Sequence, residues 1–284
     1  MSRIGFIGAG FMGHGMASRL MQAGHSLTVI AHKNRAPIDD LVAKGAREAP
    51  SLTGLVKDQD AIFICVTGTR QVESTLAAIG PALTPGQIVV DTGTSIPDST
   101  VRLAAELAER GIGWADAPVG GGPHNAARGE LVSMVGAADA DFARVKPWLE
   151  ATSKAVHHMG APGAGHRAKL LNNLVSVGQA ALVLQAYAMA RKDGLDWGKL
   201  YDIMMAGIAR SGSLERIMAP ALQGDFDGYV FSAANAAKDL GYAADFAAAQ
   251  GSASGVPAAL RDFYADAAVQ YGPDTLISRL LKPV

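Results

Sequence analysis

The feature that most constrains the fold is a glycine pattern at the junction of an apolar run and an amphipathic run near the amino terminus. Residues 3–8 are predicted to form a strand and residues 12–23 a helix, and the junction carries Gly8, Gly10 and Gly13. In such a unit the first glycine permits a tight turn, the second lets backbone approach a pyrophosphate, and the third lets the helix pack on the strand. The helix N-terminus then offers N–H groups to the phosphates. The pattern favours a nucleotide site over a merely tight turn, and its residues are Gly8, Ala9, Gly10, Phe11, Met12 and Gly13.

Short apolar runs and amphipathic runs keep alternating through the first half of the chain. Further strands are predicted at residues 26–30, 61–66, 87–91 and 114–117, and further helices at residues 38–44, 71–79 and 98–110. Residues 62–64 and 88–90 are apolar throughout, as strands covered on both faces should be. This alternation predicts an α/β Rossmann domain with a doubly wound, mostly parallel sheet.

The pattern changes after Gly165. Residues 167–192 contain no proline and one glycine, which predicts a single long helix. Further helices are predicted at residues 197–206, 213–222, 233–250, 257–270 and 273–281, and their many alanines suit close helix packing or a subunit interface. We therefore predict a dinucleotide-binding domain at residues 1–163 and an all-α domain at residues 164–284, joined by the long helix.

Charge and cysteine content exclude several classes of protein. The formal net charge is −1, so nothing indicates nucleic acid or an anionic membrane as a partner. Cys65 is the only cysteine, which excludes an intrachain disulfide and fits a reducing compartment. We expect no signal peptide, no apolar stretch long enough to span a bilayer, and a cytoplasmic location. The spacing of the seven histidines indicates no metal site.

The end of the second strand bears on the choice of nucleotide. NAD-binding folds often place an acid there for the ribose 2′-hydroxyl, but this chain has no acid before Asp39. Basic side chains in the same segment would neutralise a 2′-phosphate, which favours NADP, with NAD as the alternative. The residues concerned are His32, Lys33, Asn34 and Arg35, and a solvated basic loop is the alternative interpretation.

Two polar segments follow later strands. Residues 91–95 include Thr94 at the carboxyl end of a strand, where ligands bind in open sheets, although Thr94 or Ser95 could instead cap a helix. Gly120, Gly121 and Gly122 expose backbone N–H groups that would hold a carboxylate, unless they form only a flexible turn.

A third segment begins the long helix. Lys169 and Asn173 are four residues apart, so their side chains project from the same helix face. A lysine partly desolvated by neighbouring leucines would exchange a proton with a carbonyl oxygen, and an asparagine would orient the substrate hydroxyl. A solvated surface lysine is the alternative. We interpret His166 as a loop residue near the pocket.

Together these segments resemble the β-hydroxyacid dehydrogenase family, which includes 3-hydroxyisobutyrate dehydrogenase and tartronate semialdehyde reductase. The resemblance covers essentially the whole chain. It rests on four motifs in order: the glycine motif with Met12, Met16 and Ala17; Asp116-Ala117-Pro118-Val119 with Gly121, Gly122, Gly129 and Leu131; Gly160, Gly163, Gly165, Lys169, Asn172 and Asn173; and Lys238-Asp239-Leu240.

The resemblance implies an active site between a Rossmann domain and a helical domain, and a homodimer or homotetramer. It implies Lys169 and Asn173 as catalytic residues. Further cofactor contacts would come from Val66, Thr67, Thr94 and Lys238, and substrate contacts from Gly120, Gly121, Gly122, Asn172 and Asp239. For Lys238, a simple pair with neighbouring Asp239 is the alternative.

Four sites depart from the family pattern, and one of them is Pro123-His124-Asn125, which replaces a segment that commonly contains Gly-Ala. Gly120 replaces a serine whose hydroxyl helps to bind the substrate carboxylate, Gly93 replaces another serine, and Val66-Thr67-Gly68 replaces Leu-Pro-Asn. Some sulfo-sugar aldehyde reductases of the family also carry glycine at the position of Gly120, so an unusual anionic head group is one alternative.

The resulting hypothesis is NAD(P)-dependent hydride transfer on a small anionic β-hydroxy acid or its semialdehyde. An imine reductase is a rival that generally lacks the lysine of this segment. A non-catalytic nucleotide-binding module would be expected to have lost Lys169. Decarboxylating 6-phosphogluconate dehydrogenase shares the ancestry but needs a larger helical domain.

Overall fold

A computed structural model describes residues 1–32 and 34–283. The chain forms two compact units, Met1–Lys169 and Leu170–Val284. The domain limits of residues 1–163 and 164–284 stay a prediction, since compactness assigns the start of the long helix to the first unit.

The first unit is built on one sheet. Its strands within the described residues are β1 (Arg3–Ile7), β2 (Ser26–Val29), β3 (Arg47–Glu48), β4 (Ala61–Ile64), β5 (Ile88–Asp91), β6 (Gly113–Asp116), β7 (Val119–Gly120), β8 (Leu131–Ala137) and β9 (Ser153–Gly160). The strand order is β3-β2-β1-β4-β5-β6-β8-β7, and β9 also pairs with β8. The first six strands are parallel, whereas β8 runs antiparallel to β6 and β7. The predicted mostly parallel, doubly wound sheet is confirmed.

Helices cover both faces of this sheet. They are α1 (Phe11–Gln22), α2 (Ala36–Ala43), α3 (Leu52–Val56), α4 (Thr69–Ile79), α5 (Pro97–Ala108), α6 (Pro123–Arg128) and α7 (Asp139–Thr152). Phe63 packs in one hydrophobic cluster with Met16 of α1, and its neighbour Ile64 packs in another with Leu76 of α4. Because successive strand residues point to opposite faces, a strand buried on both faces must be apolar throughout.

The register aligns the strand ends that carry the predicted site. Ile7 pairs with Ile64, Ile64 with Asp91, and Asp91 with Asp116. The loops that follow these four strands therefore leave the same edge of the sheet.

The second unit is helical. The long helix α8 (Ala164–Lys192) continues into it, followed by α9 (Trp197–Ala206), α10 (Gly212–Ala221), α11 (Ala233–Ala249) and α12 (Gly255–Tyr271). Asp196, Ser211 and Ser232 each accept a hydrogen bond from an N–H of the first turn that follows, which fixes the start of α9, α10 and α11. The core of this unit contains Tyr187 and Tyr264, both fully buried.

The prediction of a last helix at residues 273–281 is wrong. Only a short 3-10 helix forms, at Ile277–Leu281. The N–H of Ile277 donates to the carbonyl of Phe231, and that of Ala233 donates to the carbonyl of Thr275. Backbone pairing with the segment before α11 takes the place of helical hydrogen bonds.

One helix among the described residues, α8, is long and apolar enough to cross a membrane by length and composition. The sequence-based expectation that no segment would reach this length therefore does not hold. Half of its most apolar stretch is buried inside the protein. Val177, Leu184 and Tyr187 of α8 belong to the core of the second unit, so packing accounts for its apolar character.

Candidate active site

The glycine turn has the geometry that a dinucleotide requires. Gly8 has φ +97°, and a Cβ built on it would lie 2.2 Å from the carbonyl oxygen of Cys65. A Cβ at Gly13 would lie 2.0 Å from the carbonyl oxygen of Gly8, so the helix approaches the strand too closely for any side chain. Nothing lies within 4 Å of a Cβ at Gly10. The turn thus leaves open space at the start of α1, where N–H groups lack intrahelical partners, and it fits a bound pyrophosphate.

The end of β2 carries no acid, in keeping with the NADP hypothesis, but its arginine is already paired. Nη2 of Arg35 lies 2.9 Å from Asp39 and 3.0 Å from Glu48. These hydrogen bonds raise the pKa of Arg35 above its usual range. His32 and Asn34 are exposed, and Lys33 lies outside the described residues. A 2′-phosphate at this loop would have to compete with two carboxylates for Arg35.

The loops after β4 and β5 touch each other beside the glycine turn. A Cβ at Gly93 would lie 2.9 Å from the carbonyl oxygen of Val66, so the serine usual at this position would not fit without a shift. Thr94 is half-buried and Thr67 is exposed. Neither Thr94 nor Ser95 caps α5, because that helix follows Ile96 without a side-chain cap.

The start of α8 lies directly against the sheet. A Cβ at Gly165 would lie 2.4 Å from the carbonyl oxygen of Met134 and 2.7 Å from that of Asp116. The helix begins at Ala164, so the interpretation of His166 as a loop residue is wrong: it is helical and fully buried. The cause is distant in sequence, since the carboxylate of Asp116 accepts hydrogen bonds from the N–H groups of Gly163 at 2.7 Å and His166 at 2.9 Å.

Lys169 lies one turn further along α8. Its Nζ donates a hydrogen bond to the carbonyl oxygen of Val119 at 2.8 Å, and the side chain is half-buried. Val119 immediately precedes the three predicted substrate-binding glycines. The ammonium is therefore fixed beside the glycine segment.

The glycine segment is more structured than a flexible turn. Gly120 pairs with Val132 in the sheet, and Gly121 has φ +117°, which favours glycine. The N–H of Gly122 donates to Oδ1 of Asn125 at 3.0 Å. A substrate carboxylate at this N–H would have to take the place of the asparagine side chain.

The second unit brings four predicted residues into one cluster. Asn173 is only 4% exposed, and its Nδ2 donates to Oδ2 of Asp239 at 2.7 Å. Nζ of Lys238 lies 2.8 Å from Oδ1 of Asp239, the pairing that the alternative interpretation expected. Nζ also lies 5.3 Å from the centre of the Tyr242 ring. Asn172 donates to Oδ1 of Asn173 at 3.3 Å.

Sequence reasoning missed the residues that position the predicted site residues. Asp116 and Asn125 both lie in or next to a motif that it quoted, but a motif does not show which backbone groups a side chain reaches. Thr100, which contacts His166, carried no sequence signal.

A Rossmann sheet with this glycine turn, followed by a helical unit, defines a dinucleotide-dependent oxidoreductase. Comparison with known proteins narrows the class. Residues 3–160 match the family model for the NAD-binding domain of 6-phosphogluconate dehydrogenase. Residues 163–284 match the model described as NAD-binding of NADP-dependent 3-hydroxyisobutyrate dehydrogenase. The chain belongs to the β-hydroxyacid dehydrogenase family and is an NAD(P)-dependent enzyme.

Individual relatives agree with this assignment. The chain is 35% identical to 2-(hydroxymethyl)glutarate dehydrogenase of Eubacterium barkeri, over 85% of this chain and 81% of that protein. It is 35% identical to an NAD-dependent L-serine dehydrogenase of Pseudomonas aeruginosa, over 90% and 88%. The crystal structure of a 3-hydroxyisobutyrate dehydrogenase from Salmonella typhimurium is similar with a TM-score of 0.89 at 28% identity, covering 99% of each chain.

Proposed function

We propose that this enzyme transfers hydride reversibly between NADP and a short β-hydroxy acid or the matching semialdehyde, with Lys169 as general acid and base. The observation that carries the proposal is the hydrogen bond from Lys169 to the carbonyl of Val119. It holds an amine next to the glycine segment that would bind the acid group. A bound nicotinamide would supply or accept the hydride.

The residues of this chain would divide the remaining work. Lys169 would give a proton to the aldehyde oxygen during reduction and take it back during oxidation. The N–H groups of Gly121 and Gly122 would hold the carboxylate, and Asn173 would orient the hydroxyl. Asp239 would keep the amide of Asn173 in one orientation through the bond between them.

The choice of NADP rests on the second strand and on the family model of the second unit. No acid stands at the end of β2, and Arg35 lies within this loop. The model that matches residues 163–284 is described as NADP-dependent. One of the relatives is named as NAD-dependent, so both cofactors belong in the assay.

Self-association is also part of the proposal, as a dimer or tetramer. Val175, Leu182 and Met189 are 59–68% exposed and follow one another at seven-residue intervals along α8. Such spacing places three apolar side chains along one side of a helix, which supports a contact with another copy. Light scattering would give the mass, and Leu182→Lys would be expected to lower it.

The decisive experiment measures turnover in Lys169→Ala and Lys169→Arg against the unaltered enzyme. The substrates should include 3-hydroxyisobutyrate, 2-(hydroxymethyl)glutarate, L-serine, a sulfonated aldehyde and a cyclic imine. We expect kcat for a hydroxy acid to fall by about 10² to 10⁴ in Lys169→Ala while cofactor affinity is retained. Turnover within a few-fold of the unaltered enzyme would remove Lys169 from the mechanism. If the enzyme reduced only the cyclic imine, the proposed reaction would be wrong and imine reduction would take its place.

A further inference from the structure

The first unit buries three ionisable side chains together, outside the residues assigned to substrate or cofactor. Asp91 and Asp116 end neighbouring strands β5 and β6, and His166 lies in the first turn of α8. All three have no exposed surface. Nε2 of His166 lies 3.6 Å from Oδ2 of Asp91, and Nδ1 lies 3.8 Å from Oδ2 of Asp116. Burying a charged group costs free energy unless the group is paired, so this cluster is expected to have a structural or functional role.

Asp116 acts as a cap for α8 that comes from the sheet. Its two carboxylate oxygens accept the N–H groups of Gly163 and His166, which a helix cannot satisfy by itself. A negative charge at a helix N-terminus is also favoured by the helix dipole. Strand β6 therefore fixes the backbone of the first turn.

The imidazole of His166 extends this attachment to two further elements. Oγ1 of Thr100 in α5 lies 2.8 Å from Nδ1 of His166, and it also lies 3.3 Å from the carbonyl oxygen of Ile96. Nε2 then faces Asp91, and it has no hydrogen-bond partner within the described part of the chain. Burial raises the pKa of Asp91.

We propose that His166 is a positioning residue, which locks the first turn of α8 to the ends of β5 and β6 so that Lys169 stays bonded to Val119. The inference rests on the proposed function, because it assigns His166 no chemistry of its own. Three attachments lie within seven residues: Gly163 and His166 to Asp116, the His166 ring between Thr100 and Asp91, and Lys169 to Val119. Loss of the ring would free the turn that carries Lys169.

The test compares three substitutions that remove different contacts. His166→Leu removes both ring contacts, His166→Asn keeps an amide at the position of Nδ1 beside Thr100, and His166→Gln keeps one at the position of Nε2 beside Asp91. We expect kcat to fall about tenfold or more in His166→Leu, with the KM for cofactor unchanged, and to recover partly in the Asn and Gln variants. Gln87→Met is the matched control, because it breaks hydrogen bonds to the backbone carbonyls of Val56 and Gln59 at the opposite end of β5. It should leave kcat unchanged.

A second readout separates this inference from the proposed function. Amide hydrogen exchange of residues 164–169 should become at least about tenfold faster in His166→Leu, and not in Gln87→Met. Unchanged exchange, or a kcat within twofold of the unaltered enzyme while Lys169→Ala is inactive, would overturn the role of His166 alone. Full turnover in Lys169→Ala would instead refute the proposed function. If His166→Leu does not fold, the Asn and Gln variants carry the same comparison, and normal exchange and turnover in both would overturn the proposal.

Discussion

Asn173 donates a hydrogen bond from its side-chain amide to Asp239 at 2.7 Å, and both side chains are almost completely buried. The two residues are 66 positions apart, on α8 and α11. The bond fixes which end of the Asn173 amide is the donor toward Asp239. Its oxygen therefore faces the side chain of Asn172, which donates to it.

Removal of Asp239 should destabilise the second unit. Asp239→Ala would leave the Asn173 amide and the Lys238 ammonium without this partner, and we expect the free energy of unfolding to fall by about 3 kcal/mol. Asp239→Asn retains an acceptor for Asn173 and should lose less. Urea unfolding of both variants measures the difference. Equal losses would show that the charge, and not the hydrogen bond to Asn173, stabilises the cluster.

The close approach of α8 to the sheet predicts opposite effects for two glycine-to-alanine changes. Gly165→Ala would force a methyl group against the backbone oxygens of Met134 and Asp116, and we expect a loss of about 2 kcal/mol. Gly241→Ala is the matched control, since the nearest atom to its Cβ is a side-chain carbon of Arg261 at 3.6 Å. It should gain about 0.5 to 1 kcal/mol from helix propensity. Thermal unfolding that shifts both variants the same way would contradict the close contact between α8 and the sheet.

Gly120→Ser should restore a substrate contact without strain. The atoms nearest to a Cβ at Gly120 are 3.8 to 3.9 Å away, so the side chain fits. One added hydrogen bond to a carboxylate corresponds to roughly a tenfold lower KM for the hydroxy acid. Gly120→Ala adds the carbon without the hydroxyl and should leave KM unchanged. If the two variants behave alike, the serine position does not bind the acid group in this enzyme.

The carboxylates around Arg35 should weaken NADP binding. Glu48→Gln removes one of them, and we expect the Kd for NADP to fall by about twofold to fivefold, as for loss of an exposed ion pair. The Kd for NAD should not change, and Arg35→Ala should weaken NADP alone. Titration of NAD and NADP by fluorescence, in the unaltered enzyme and in both variants, gives the six dissociation constants. A parallel shift for NAD and NADP would exclude Arg35 as the 2′-phosphate contact.

Cys65 should be unreactive at neutral pH. Burial raises the pKa of its thiol to about 11, so at pH 8 the thiolate is about a hundredfold scarcer than for an ordinary thiol. Ellman's reagent should react slowly with the folded enzyme and rapidly in urea. Because the unfolded thiol ionises first, the free energy of unfolding should decline as the pH rises from about 9 to about 11, and Cys65→Ala should lack that decline. Rapid labelling at pH 8 under native conditions would contradict the burial.

The parallel strands β1, β2, β4, β5 and β6 could be predicted because they are mainly apolar and the first turn needs three glycines, whereas the charged, exposed strand β3 gave no signal. The edge beyond β6 could not. Strands β7 and β8 and helix α7 were not predicted, and β8 includes Ser133 and Gly136 while α7 contains Pro147. What makes these segments regular is pairing with distant strands, and no local pattern carries that information.

The candidate site, like the fold, could be predicted only in part. Residue type and spacing made Lys169, Asn173 and the glycines candidates, and the resemblance to the family assigned them their expected roles. Among the residues that orient them, Asp116 and Asn125 accept hydrogen bonds from backbone groups up to about fifty positions away, and Thr100 contacts the side chain of His166. His166 was misplaced for this reason, because the carboxylate that starts its helix belongs to a strand.

The hydrogen bond between Gly122 and Asn125 would make binding of the proposed substrate at this turn an exchange of one acceptor for another. The amide oxygen of Asn125 serves as a neutral placeholder, and an incoming acid would replace it without changing the number of bonds at that N–H. Selection among ligands would then depend on charge, because a hydrogen bond from the N–H to an anion is stronger than the hydrogen bond to the amide oxygen that it replaces. A neutral alcohol or ketone would have no advantage over the resident side chain.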